Sequence, residues 1–282
     1  MQIKLKNYLM LVRFNKPIGS LLLMWPCWIA LANINYDQIN LIKWYLYFLL
    51  GAFLMRSAGC IINDLIDINI DKKTERTSRR PLASNRLSLI EAFIMLIILL
   101  IPSFLILMQF SLKTILFGLA SVPLIIIYPF TKRFTNWPQI FLGIVFNWGV
   151  LIVSIEFLGI LKTDFILLYI GCVFWTLAYD TIYAYQDRKD DIENKIKSTA
   201  VIFDKFGKLY VSLFYSIFFI IVGFLGYKSS SNFLSLIVIF IFMFSVILYL
   251  NKWNLDSKSS SNYYFKFNNY IGLFCFLFLI TF

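Results

Sequence analysis

Nine runs of apolar residues, each about as long as a helix needs to cross the hydrocarbon core of a bilayer, divide the sequence. They fall near residues 17–35, 44–62, 89–108, 112–130, 139–160, 164–184, 209–227, 232–250 and 263–281. In lipid a backbone must satisfy its own N–H and C=O groups, so runs of this length have to be helices. The expected class is all-α, a polytopic membrane bundle of about nine transmembrane helices forming one domain over residues 1–282. A mean hydropathy of +0.77 agrees with it. The basic N-terminal stretch is interrupted by "RFNKP" with no small-residue cleavage site after it, so no removable signal peptide is expected.

The charges between the runs alternate in density. The N-terminal segment and the loops after the second, fourth, sixth and eighth runs, with Lys266 at the head of the ninth, hold 21 of the 26 Lys and Arg. The intervening loops hold one each, Lys43, Lys113, Lys162 and Lys228. The positive-inside rule therefore expects a cytoplasmic N-terminus, and the expected location is a bacterial inner membrane ahead of a mitochondrial one. The net charge of +11 is explained by topology and anionic lipid, which removes the case for nucleic acid as a partner. Oligomeric state leaves no trace in the sequence.

Two of the basic loops also concentrate acids. Asp64, Asp67, Asp71 and Glu75 follow the second run, and Asp187, Asp190, Asp191 and Glu193 follow the sixth, together eight of the fifteen acidic residues. If the second run continues as a helix, Asn63, Asp67 and Asp71 stand at i, i+4 and i+8 on one face. Tyr183, Asp187 and Asp191 repeat that spacing, which hints at an internal duplication. Like charges one turn apart repel, so each row calls for a cation. Facing carboxylate and amide oxygens suit Mg²⁺, a hard ion held by a few carboxylates together with substrate phosphates.

Bases surround the acids. Arg76, Arg79 and Arg80 follow the first row, Lys197 follows the second, Lys132 and Arg133 lie on the same side, and Arg13 and Lys16 precede the first run. Acids for a metal and bases for phosphate oxygens, at the mouth of an apolar bundle, describe a site for an amphiphile with a diphosphate head. A single mixed-charge loop is ordinarily a solvated surface; two loops with the same spacing are much harder to explain that way. Arg56 and Asp180 lie inside membrane runs, where snorkelling or a helix–helix hydrogen bond competes with a functional role. The chain has no histidine, so zinc and haem ligation lose their commonest donor. Its four cysteines, Cys27, Cys60, Cys172 and Cys275, lie apart in apolar stretches and are expected as reduced packing residues.

"NDLIDINIDKKTERTSRRPLAS" resembles the NDxxDxxxD motif and following RTxxRPL of the UbiA-type intramembrane prenyltransferases, and "YDTIYAYQDRKDDIENKIKSTA" resembles their second, YxxxDxxxD, motif. "RFNKPIGSLLLMWPCWIA", "MRSAGCIINDLID", "YPFTKRFTNWPQ" and "NNYIGL" are similar to the branch that acts on 4-hydroxybenzoate in ubiquinone synthesis. The likeness runs in order through essentially the whole chain. It implies a polar pocket near the cytoplasmic face, a lateral opening to lipid, and Mg²⁺-dependent transfer of a polyprenyl group from its diphosphate to 4-hydroxybenzoate. It further implies metal ligation by Asn63, Asp67, Asp71, Asp187 and Asp191, with catalytic roles for Asp191 as base and for Asp187, Tyr183 and Arg56. Arg13, Lys16, Arg76, Arg79, Arg80, Lys132, Arg133 and Lys197 would contact substrate, with Arg13 or Arg133 as candidate for the aromatic carboxylate. Homogentisate, dihydroxynaphthoate or haem is the rival acceptor. An ion-coupled transporter is the reading from another class, and it would place the acids nearer the midplane.

Overall fold

A computed structural model describes residues 2–34 and 41–282. Among these residues every regular element is helical. The elements are α1 (Gln2–Leu11), α2 (Ile18–Ala32), α3 (Leu41–Ile66), α4 (Ile68–Asp71), α5 (Leu89–Leu107), α6 (Leu112–Leu119), α7 (Val122–Ile127), α8 (Thr131–Phe134), α9 (Pro138–Phe146) and α10 (Trp148–Leu158). They continue as α11 (Thr163–Ala184), α12 (Arg188–Glu193), α13 (Thr199–Phe203), α14 (Gly207–Ser230), α15 (Phe233–Leu250) and α16 (Lys258–Thr281). Eight helical stretches among the described residues are long and apolar enough to cross a membrane, and α2 makes a shorter ninth. The protein is an integral membrane protein. The first run was expected to end at 35, a position outside the described residues.

Local chemistry explains the boundaries. Ser88 and Glu91 form a reciprocal capping box at the head of α5, and Ser111 and Asn232 cap α6 and α15. Gly159 closes α10 in the left-handed region, at φ 70°. The fourth run is broken into α6, α7, a 3₁₀ turn and α8, because Pro123 and Pro129 each remove a backbone donor. Asn147 separates α9 from α10, and its side-chain amide nitrogen donates to Gly143 O at 2.7 Å and Thr176 Oγ1 at 2.9 Å, while its Oδ1 accepts no hydrogen bond among the described residues.

The core lies where α2, α11, α14 and α16 meet. Trp175 stacks on Phe218 and donates to Asn268 Oδ1 at 2.8 Å, and Tyr215 donates to the same oxygen at 2.8 Å. These paired polar groups cross-link three helices at a depth where an unpaired donor would be costly. All four cysteines are buried and free, as expected. By contrast α5 packs chiefly against α3 and turns Ile94, Ile98, Ile101 and Leu105 outward, as a lipid-facing helix does.

Candidate active site

The two acid rows sit at the ends of α3 and α11 and share a backbone feature. α3 stops at Ile66 and the chain is helical again from Ile68, with Asp67 at φ −101°, ψ 10°, whereas α11 stops at Ala184 and three residues of turn end at Asp187, at φ −107°, ψ 1°, before α12. Asp67 N keeps its i→i−4 bond to Asn63 O at 2.9 Å, whereas Asp187 N bonds Ala184 O, three residues back, at 3.0 Å; beyond each break Asp71 N and Asp191 N bond Asp67 O and Asp187 O at 2.8 Å. Both rows are therefore interrupted, where a continuous helix was expected, the second over a longer turn than the first.

Bases from several segments hold the acids. Arg13, itself at φ 59°, donates to both oxygens of Asp64 at 2.6 and 2.7 Å. Arg80 bridges Asp64 at 2.9 Å and Asp71 at 2.8 Å. Arg76 forks onto Asp187 at 2.7 and 2.5 Å, donates to the Tyr183 hydroxyl at 2.7 Å, and lies 4.9 Å from the Tyr183 ring. Lys132 reaches across to Asp67. Ser198 donates to Asp191 at 3.1 Å. Because Arg76 and Arg80 come from one loop, that loop holds both rows at the same level.

Burial raises the price of these charges. Asp67 is wholly buried, and its Oδ1 accepts no hydrogen bond among the described residues. Burial pushes the Asp71 carboxyl above its ordinary range against the pull of Arg80, while the Asp64 charge adds to the rise. Asp191 is pushed up to about 7, first by burial and then by the neighbouring Asp187 charge, with Ser198, Lys132 and Arg76 opposing. Among the described residues no three Asp, Glu, Cys or His side chains converge on a point; the carboxylates are spread toward the bases instead.

A cavity of about 1330 Å³ runs down from the rows. That exceeds the roughly 300–1,000 Å³ of an ordinary small-molecule pocket. One face of α3 lines it at every turn, from Asn63 and Asn63's neighbour Asp64 through Gly59 and Met55 to Phe48 and Tyr47, a length of about 24 Å at 1.5 Å per residue. Its deep end is apolar, with Phe104, Phe110 and Trp148. Leu100 and Phe104 of α5 and Leu119 and Val122 of α6 and α7 line it while also being exposed outside, which marks a side opening toward lipid.

The expected site residues divide by position. Arg13, Lys16, Arg56, Asn63, Asp71, Arg76, Arg79, Arg80, Lys132, Tyr183, Asp187, Asp191 and Lys197 all line the cavity. Asp67 is buried behind it, and Arg133 is exposed beside it, donating to Ile66 O at 3.2 Å. Arg13 is committed to Asp64. Arg56 is the notable case: its guanidinium faces the cavity, 5.3 Å from the Phe146 ring, with no hydrogen bond or ion pair among the described residues. A Cβ on Gly19 would stand 2.7 Å from Arg56 Nε, so the glycine makes room for the head group. Nothing in the sequence marked Gly19. Asp64 could have been taken from the "ND" pair, since both its base partners lie in the basic segments already singled out.

The profile of the UbiA prenyltransferase family matches residues 23–271. The chain belongs to the UbiA prenyltransferase family. A relative from Legionella pneumophila (strain Paris) is 44% identical over 208 residues, 73% of each chain, and one from Pseudoalteromonas translucida is 36% identical over 277 residues, 97% of this chain and 93% of that one. Both are named 4-hydroxybenzoate octaprenyltransferase. Among solved structures, an apo UbiA homolog from Aeropyrum pernix superposes with a TM-score of 0.71 at 18% identity, covering 90% of this chain and 96% of that one. A UbiA homolog from Archaeoglobus fulgidus bound to GPP and Mg²⁺ superposes with a TM-score of 0.67 at 18% identity, covering 98% and 100%. At that identity the likeness is one of fold, and it extends over the same bundle that carries the UbiA motifs here.

Proposed function

We propose that this UbiA protein transfers a polyprenyl group from its diphosphate to the ring carbon beside the hydroxyl of 4-hydroxybenzoate, releasing diphosphate, in a bacterial inner membrane with the N-terminus cytoplasmic. The observation that carries the reading is the cavity itself, which joins an acid-and-base mouth to an apolar bore open to lipid. An amphiphile with a charged head and a long tail fits both ends. The names of the relatives favour 4-hydroxybenzoate over the rival acceptors and make an octaprenyl group the first donor to try.

Asn63, Asp67, Asp71, Asp187 and Asp191 would hold Mg²⁺. The fit rests on their chemistry, hard oxygen donors throughout, and on the orphaned Asp67 Oδ1, a buried carboxylate oxygen with capacity to spare. When bound, the ion supplies positive charge that draws off the leaving diphosphate. Arg76, Arg80, Lys132 and the more exposed Arg79, Lys16 and Lys197 supply donors to its oxygens. The departing group leaves an allylic cation whose charge Tyr183 and Tyr128 can face with their rings, and the apolar bore keeps water from it. Arg56, uncommitted and on the wall, is better placed for the acceptor's carboxylate than Arg13 or Arg133. Asp191 remains the nearest named base for the ring proton at the mouth.

The test is Mg²⁺-dependent transfer from radiolabelled polyprenyl diphosphates to 4-hydroxybenzoate in membranes carrying the protein, with EDTA and homogentisate as controls. Product with 4-hydroxybenzoate alone is expected. Diphosphate release with product only on homogentisate would move the acceptor, and no metal-dependent release at any chain length would overturn the enzyme reading.

A further inference from the structure

Asp180 has no place in either acid motif, yet it lies on the motif face of α11. Asp180, Tyr183, Ala184 and Asp187 all line the cavity, the spacing of one helical stripe. It sits in a membrane-spanning helix, and among the described residues its carboxylate receives no hydrogen bond and no ion pair within 4 Å. A carboxylate is expensive at such a depth and is ordinarily paired. Its oxygens are turned to the cavity instead.

Matching the two motifs by their spacing gives its position along the helix relative to Arg56. With Asn63 matched to Tyr183, Asp180 corresponds to Cys60, four residues and about 6 Å along a helix axis nearer the mouth than Arg56, and both Asp180 and Arg56 line the cavity. Arg56 and Asp180 thus stand on facing helices as a lower cation and an upper anion, beneath the diphosphate level at Asp187. A para-substituted benzoate has the matching ends: an anion for Arg56 and a hydroxyl for Asp180. The ring carbon beside that hydroxyl is then the part of the acceptor closest to the diphosphate level.

We propose that Asp180 is a catalytic residue that accepts the acceptor's phenolic hydrogen, an assignment resting on the acceptor reading above. As the allylic C–O bond breaks, its electron pair leaves with the diphosphate. The ring carbon forms the new C–C bond while the hydroxyl proton passes to Asp180, giving a neutral dienone. The ring C–H proton then goes to the base at the mouth, Asp191 or the released diphosphate, Asp180 returns its proton to the oxygen, and the aromatic phenol is restored with the Asp180 carboxylate regenerated. Asp180 also sets specificity, since only an acceptor with a donor group para to its anion meets both residues.

The experiment compares Asp180→Asn with the unaltered protein on 4-hydroxybenzoate and on 3-fluoro-4-hydroxybenzoate, whose hydroxyl is more acidic and whose second ortho carbon stays free. With 4-hydroxybenzoate kcat should fall about 10²-fold or more, the ordinary worth of a positioned base, with the KM for prenyl diphosphate unchanged. With the fluorinated acceptor the loss should be at least about tenfold smaller, because less help is needed to remove the proton. Equal losses on both acceptors, or no loss, would overturn the assignment. Should the variant fail to fold, 4-methoxybenzoate serves on the unaltered protein: lacking the hydrogen, it should compete at least about tenfold more weakly than 4-hydroxybenzoate binds, a typical worth of a hydrogen bond to a charged group, and equal competition overturns the proposal. If the unaltered protein transfers nothing to 4-hydroxybenzoate, the acceptor reading fails instead.

Discussion

Replacing Arg80 by alanine would remove two charge-assisted bonds, yet the two acids it serves would not suffer equally. Asp64 keeps both bonds from Arg13, at 2.6 and 2.7 Å, so its charge remains compensated. Asp71 is 5% exposed and has no other base within 4 Å among the described residues. The cost is therefore that of stranding one buried carboxylate, about 3–5 kcal/mol, and the 19% exposure of the Arg80 side chain favours the lower end. About 3 kcal/mol corresponds to a drop of about 6–10 °C in the midpoint for a chain of this size. Thermal unfolding in detergent at pH 7.5 would measure it, with Arg80→Ala/Asp71→Asn as the paired control. Neutralising Asp71 should recover more than half of the loss, and Mg²⁺ should stabilise Arg80→Ala more than the unaltered protein. Burial already raises the Asp71 carboxyl, and losing Arg80 raises it further, so the acid escapes by taking a proton as pH falls. The deficit should accordingly be smaller at pH 6 than at pH 8. A midpoint within about 2 °C of the unaltered protein, or strictly additive losses in the double variant, would refute the reasoning.

Three further outcomes follow from the site. Asp67→Asn keeps the shape of a wholly buried side chain while removing its charge, so turnover should fall by about 10² or more, with Mg²⁺ titration showing weakened binding; normal Mg²⁺ dependence would count against ligation by Asp67. Asp191, held up at about 7, is protonated below that value and must be ionised to ligate, so the apparent Mg²⁺ affinity should strengthen from pH 6 to pH 8 and flatten above it. A pH-independent affinity would exclude it. Gly19→Ala puts a methyl group 2.7 Å from Arg56 Nε, where the flexible head can swing away. The KM for acceptor should then rise about tenfold, the worth of roughly 1.4 kcal/mol, with the KM for donor unaltered; a matching rise in both would place Arg56 elsewhere in the reaction.

Much of this was legible in the residues. Helices, their number and the gathering of charge at one end follow from apolar length and loop composition, because a bilayer leaves a chain few alternatives. The acid rows were legible from spacing, and Arg56 from its depth. The breaks at Asp67 and Asp187 were not, since an i, i+4, i+8 pattern does not tell a continuous helix from one interrupted between those positions. Which base meets which acid was equally hidden. Arg13 and Arg133 look alike in sequence, and only the packing sends one into the wall and leaves the other outside. The prolines of the fourth run were visible, but periodicity could not tell an interrupted helix from an intact one.

The shortness of α2 has a consequence for how the protein senses its medium. Gly19, in the first turn of α2, lies beside Arg56, ten residues and about 15 Å back from the C-terminal end of α3. The segment carrying Arg13 and Lys16 therefore dips below the rim set by α3, and the charged mouth is a sunken vestibule. Ions in bulk solution damp a surface patch beyond a Debye length of about 8 Å at physiological ionic strength, whereas charges walled in by protein and lipid feel much less of that damping. Attraction between this vestibule and a lipid diphosphate is thus set by the walls more than by the surrounding solution, and should persist across a range of salt that would detach a peripheral protein from the same membrane.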